Sequence, residues 1–296
     1  MYFYLEWLQK KPSQILILDK RPNNINFESQ FKIDKEIFII CGNISEKFKN
    51  YEYPKEIKYR KNQYLSSHLQ KCIRRMDSLK SIQTAKHFIN LDINSFLRRL
   101  PIIMLEDVCI HQSFSILIWL MIAISKGFQI KNEIVQWLLG IIYYLSKETK
   151  KQFYFNHDMK ELPFDNNNDI IYQTLCFRKK YGGMKGDMNM IEYYKHLFHQ
   201  NNLEIKNDKI NLMKLDIVDL EYKDWNYQAN DFHCNRFVIH KIKNYYPEYS
   251  EEILKRLIWI YSSSYNKRIH KEKEENKDWD KIKKRVRYIQ KNCQFY

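Results

Sequence analysis

Residues 113–127 read SFSILIWLMIAISKG. The run from Phe114 to Ile124 is apolar almost without a break. Ser113 is of the type that accepts a hydrogen bond at a helix start, and Gly127 suits the left-handed residue that ends one. The stretch is well short of the ~20 residues needed to cross a bilayer. It therefore predicts a helix buried on all sides. Ile134–Leu145 reads the same way and places a second core helix at about 132–146. Two such helices in close succession predict a mainly α protein, a helical bundle.

Reading outward, the bundle extends upstream. Leu65, Leu69, Cys72 and Met76 recur at helical spacing. After Asp77-Ser78, a capping pair, Leu79, Ile82, Ala85 and Ile89 do so again. Asn94 or Ser95 opens a further helix through Leu97 and Met104, which Pro101 must kink or restart. Before residue 63 the pattern changes. Ile15–Leu18 and Ile37–Cys41 are short β-branched runs, and Arg21-Pro22-Asn23-Asn24 is a turn signal. The expectation is a small α/β unit over 1–62, a bundle over 63–150 and a helical extension over 151–296.

In that extension, 156–169 reads as a polar loop and Ile170–Lys179 as helix. Asp187 is placed to cap a helix reaching His199, and Lys209–Trp225 is ambiguous. Helices resume over about 231–244, 250–266 and 276–292. Ile253, Leu257, Ile260 and Ser264 mark the inner stripe of the second of these.

Composition supports long helices. Six glycines and six prolines are too few for the turns of a sandwich or barrel. Lys and Arg number 50 against 35 Asp and Glu, a formal charge of +15, which favours polyanionic partners. Only 12 of those cations are Arg, and the abundance of Lys, Asn, Ile and Tyr also fits an AT-rich coding genome, such as a virus carries. The six cysteines form no CxxC pair, which predicts a reducing, intracellular compartment. Met1–Leu8 lacks the pattern of a secretory signal, and no membrane association is expected.

The stretch 66–147 resembles the helical region that follows the ATPase core in the replication-associated recombination protein A family. These are clamp-loader-like AAA+ ATPases, also known as MgsA or Werner-helicase-interacting proteins. The resemblance rests on Leu69-Gln70-Lys71-Cys72-Ile73-Arg74-Arg75, on the Arg98-Arg99 pair, on Ile103-Met104-Leu105-Glu106-Asp107-Val108 and on Tyr144-Leu145. It implies a bundle that serves assembly or docking near DNA, with a homo-oligomer as one outcome. The phosphate-binding GxxxxGK[ST] loop of that family is absent from this sequence. The family's catalytic residues thus map onto nothing here, and no cofactor is implied.

These readings make the chain a non-catalytic DNA-binding accessory factor of replication, recombination or repair. Lys71, Arg74, Arg75, Arg98 and Arg99 are candidates for phosphate contact. Equally, Arg98 or Arg99 can pair with Glu106 or Asp107 and fix the fold. Tyr181–Asp187 holds Gly182, Gly183 and Gly186, flanked by Lys179, Lys180 and Lys185. It reads either as an anion-binding loop or as a tight helix connection capped by Asp187. The last helix repeats Lys281, Lys283, Lys284, Arg285 and Arg287 with Trp279 and Tyr288 interleaved; it reads either as the strongest candidate surface for a nucleic acid or as a solvated terminal helix with charge pairs along itself. Asp231-Phe232-His233-Cys234 with His240 lacks the paired spacing of a zinc site, so no metal is expected. Two rival readings are an oligomeric scaffold without nucleic-acid binding and a metal-dependent nuclease built on Asp187, Asp231 and His233.

Overall fold

The computed structural model describes residues 1–12, 14–33, 35–57, 61–152, 162, 169–217, 236–269 and 276–292. The protein is mainly α with a small four-stranded sheet at its N-terminal end. Among the described residues no helix is long and apolar enough to cross a membrane.

The strands are β1 (Tyr2–Trp7), β2 (Gln14–Leu18), β3 (Phe27–Ile33) and β4 (Glu36–Ile44), in the order β2-β1-β4-β3. Each hairpin is antiparallel, with Tyr2 opposite Leu18 in the first and Phe27 opposite Gly42 in the second. The hairpins join through a parallel pairing of β1 with β4, Tyr2 opposite Ile39. The sequence predicts the centres of β2 and β4. It leaves β1 and β3 unread, although β1 is rich in the aromatic residues that favour strands.

The helices are α1 (Asn62–Arg74), α2 (Ser78–Asp107), α3 (Phe114–Ser125), α4 (Asn132–Lys147), α5 (Ile170–Lys180), α6 (Lys185–His199), α7 (Arg236–Tyr245), α8 (Glu251–Ile258) and α9 (Lys277–Asn292). A π-helical turn, Trp259–Ser263, follows α8 directly. The chain divides into two compact units. The first comprises Met1–Glu56, Asp92–Ile141 and Lys150–Asp216, and the second Ile57–Leu91, Ile142–Thr149 and Ile217–Tyr296.

In the first unit the sheet packs against α3 and α5. Phe177 of α5 lies 5.0–5.4 Å, ring to ring, from Phe3, Phe31 and Phe38. The Trp119 indole of α3 donates to the carbonyls of Phe3 (3.1 Å) and Cys41 (3.0 Å), tying the helix to the central parallel pair. Gly42 makes room for it, since a Cβ there would stand 2.9 Å from the Trp119 ring. The second unit has a core that includes Val238, Ile242, Leu254, Leu257, Trp279 and Val286.

Several local expectations change. The 78–107 helix leaves helical geometry at Asp92 (φ −160°, ψ 91°), not at Pro101. Asp92 accepts from the Ser95 amide and hydroxyl, so the second half starts from Asp92 rather than from Asn94 or Ser95. Pro101 lies inside the helix without leaving helical geometry. Ser113 precedes α3 but makes no side-chain cap, its hydroxyl being bonded to His111. Gly127 ends α3 as expected: at φ +92° it donates to Ile124 and Phe128 donates to Ala123. Met184, not Asp187, stands at the N-cap of α6. The inner stripe of α8 is Leu254, Leu257 and Ile258: Leu257 is buried as expected, whereas Ile253 is 45% exposed and Leu254 takes its place.

Candidate nucleic-acid interface

The cations singled out from sequence fall into two sorts. In the second unit, α1 is buried on most sides. Lys71 is turned inward and donates to the Ser67 hydroxyl (2.8 Å). Arg74 donates to the Ser263 carbonyl (3.3 Å) and Arg75 to that of Ser262 (3.0 Å), so both guanidinia are engaged by the π-helical turn. Burial lowers Arg75 to about 10. Arg74 and Arg75 thus tie α1 to that turn.

In the first unit, Arg99 reaches both Glu106 (3.6 Å) and Asp187 (3.4 Å). Arg98 donates to the Tyr181 carbonyl (3.1 Å). The pairing of Arg99 with Glu106 is the internal network the sequence allows; Asp187 adds a second acid to it. Asp107 is buried at the last position of α2. The key residue missed by sequence is Arg178, nearly fully buried, which donates to the carbonyls of Gly182 (2.8 Å) and Arg98 (2.9 Å). Desolvation lowers it to about 10, with the charges of Arg98 and Arg99 adding to the effect and Asp187 opposing it.

The glycine loop therefore connects two helices. Gly182 takes φ +72° and donates to the Lys179 carbonyl as α5 ends. Asp187 lies in the first turn of α6, where a carboxylate complements the helix dipole and occupies the place an anion would take. Burial raises its pKa, while Arg99 and Arg178 pull it down. Gly183 abuts Met188, and Gly186 faces open space. Lys180 and Lys185 are exposed. Lys179 pairs with Glu192 (2.6 Å), which Lys195 also approaches (3.2 Å). Burial pushes the Glu192 carboxyl up, but Lys179, the Leu162 amide and Lys195 outweigh it and hold it below the usual range.

The remaining cations lie on α9, beside α7 of the same unit. Trp279, Ile282, Val286 and Ile289 face the core, which turns the basic positions outward. The Arg285 guanidinium lies 3.8 Å from the Tyr245 ring centroid and 5.8 Å from that of Tyr288. On α7, Lys241 stands 4.2 Å from the Phe237 ring. Phe237, Lys241 and Tyr245 follow one another at four-residue spacing along one helix face. The three rings are exposed: Tyr288 by 61%, Tyr245 by 55% and Phe237 by 42%. Lys284 is exposed as well. Lys281 pairs with Glu248 and Lys283 with Asp280. Arg287 is half-buried.

This α7–α9 face alternates cations with exposed aromatic rings. Phe237, Lys241 and Tyr245 were not singled out from sequence, though their spacing on a helix is the signal that marks them. Asp231, His233 and Cys234 lie outside the described residues. Among the described residues no group of three or more His, Cys, Asp or Glu side chains could hold a metal ion. Cys41, Cys72, Cys109 and Cys176 are buried thiols outside any disulfide. No family model, curated protein or solved structure matches this chain.

Proposed function

We propose that the protein is a DNA-binding accessory factor of replication, recombination or repair, without catalysis of its own, and that it grips single-stranded nucleic acid on the α7–α9 face. The observation that carries this reading is Arg285 set between the exposed rings of Tyr245 and Tyr288. Bases stack on exposed aromatic rings without regard to sequence. Arg285, Lys241 and Lys284 supply the charges that follow a phosphate backbone. The likeness of residues 66–147 to the recombination ATPases directs the reading toward DNA transactions, and the net charge of +15 agrees with it.

Fluorescence anisotropy of a labelled single-stranded oligonucleotide tests the proposal. Binding is expected at low salt, and Tyr245→Ala with Tyr288→Ala should weaken it by about tenfold or more. Both rings are exposed, so the double variant keeps its fold, which circular dichroism checks. Absence of binding at about 50 mM salt, or an unchanged affinity in the double variant, overturns the reading.

A further inference from the structure

We propose that a cleft in the first unit, between edge strand β2, the start of α3 and residues 207–210, binds a nucleoside monophosphate. The cleft measures about 460 Å³, inside the ~300–1,000 Å³ range of small-molecule sites. Ile15, Ile116, Trp137, Ile171 and Ile210 give it an apolar wall fit for a flat ring. Lys11, Lys209, Gln14 and Asn207 line it as well.

The lysine pair is the informative feature. Lys11 and Lys209 line the same cleft, and Lys11 is held below its ordinary pKa by desolvation and then by the like charge of Lys209. Two ammonium groups side by side repel, and a phosphate monoester between them removes the repulsion, since it carries close to two negative charges at neutral pH. Asp208 also lines the cleft, which makes its charged lining +1 rather than +2 and favours one phosphate over a polyphosphate. Carboxamides on the same lining suit the donor and acceptor edges of a base.

The cleft is held in shape before any ligand arrives. His111 Nε2 lies 2.9 Å from the Asp208 main-chain carbonyl, which can only accept. The ring proton is thus on Nε2, and Nδ1 accepts from the Ser113 hydroxyl at 2.8 Å. Gln112 donates to the Lys206 carbonyl (2.8 Å) and Lys206 to that of Ile110 (3.0 Å), fastening the 206–210 segment to the approach to α3. A pre-formed site loses less conformational entropy on binding.

Isothermal titration with adenosine 5′-monophosphate, adenosine and inorganic phosphate tests this on the full chain. The monophosphate should bind, and the other two should bind at least about tenfold more weakly, each lacking one side of the contact. Lys11→Glu with Lys209→Glu should abolish the monophosphate signal while leaving the far-ultraviolet spectrum intact. The proposal fails if the monophosphate gives no saturable heat at millimolar concentration or binds the double variant equally well. Equal affinity for phosphate alone also overturns it, because the apolar wall would then hold nothing.

Discussion

Arg268 donates to the main-chain carbonyl of Ile73 at 2.9 Å, near the C-terminal end of α1. The same guanidinium donates to the carbonyls of Glu148 (2.7 Å) and Leu145, at the end of α4. Helix C-termini expose carbonyls without helical partners and carry partial negative charge. One buried cation therefore satisfies two helix ends at once. Arg268→Ala should destabilise the second unit by about 3 kcal/mol, since hydrogen bonds from a charged donor are worth ~1.5–3 kcal/mol each and the Ile73 carbonyl keeps another donor, the Met76 amide. Arg268→Lys should recover only part, because an ammonium lacks the planar fork. Urea unfolding measures both. A change below about 0.5 kcal/mol in the alanine variant would show that water replaces the guanidinium.

Gly140 of α4 marks a close backbone approach in the first unit. A Cβ there would come within 2.0 Å of the Asn211 carbonyl oxygen, and Met213 donates to the Gln136 carbonyl close by. Gly→Ala in a helix ordinarily stabilises by about 1 kcal/mol. Here the sign should reverse, with Gly140→Ala costing about 1–3 kcal/mol and lifting residues 210–213 off the helix. Thermal unfolding and limited proteolysis within 206–213 report the two effects. A raised melting temperature with unchanged cleavage would refute the close approach.

His68 gives the second unit a pH dependence. It is buried in α1, 2.8 Å from the Thr84 hydroxyl, which itself donates to the Lys80 carbonyl. Burial lowers the imidazole to about 3, with Arg75, Lys80 and Lys71 adding to the shift. Against an ordinary 6.5, the unfolded chain between these values binds a proton that the folded chain refuses. The contribution of neutral His68 is whole above pH 6.5 and falls, by up to about 1.4 kcal/mol per pH unit, as pH drops toward 3. His68→Leu should flatten that slope, whatever it does to absolute stability. Melting curves from pH 7.5 to about 4 decide the matter, and parallel slopes in the two proteins would exclude His68 as the cause.

What the sequence discloses is what periodicity and caps encode locally. The helix from Phe114 to Gly127 is legible because its apolar run and its left-handed stop lie within one segment. The β1–β4 pairing is not, since it joins Tyr2 to Ile39 across a hairpin. For the same reason the sequence offers Arg74, Arg75 and Arg99 both as phosphate contacts and as internal ties, with internal ties favoured, and cannot name the partners. Their partners Ser263, Ser262 and Asp187 lie 88 to 189 residues away. The α9 face is half legible: charge and aromatic spacing mark Lys284, Arg285 and Tyr288, whereas the stacking partner Tyr245 comes from another helix.

That cross-helix stacking separates two kinds of binding energy on the α7–α9 face. Arg285 and Lys284 supply charge, so replacing either by Gln should lower the slope of log affinity against log salt by ~0.7 on single strands, and ~0.9 on duplex, for each phosphate no longer neutralised. Tyr245 and Tyr288 supply stacking, which releases no counterions. Tyr245→Leu should therefore weaken binding at every salt concentration and leave the slope unchanged. Duplex DNA hides its bases, so the tyrosine variants should lose affinity for single strands and little for duplex. Anisotropy titrations across a salt series on both substrates resolve these outcomes. Equal losses on duplex and single strand from Tyr245→Leu would show that the rings only position Arg285, and the stacking role would be withdrawn.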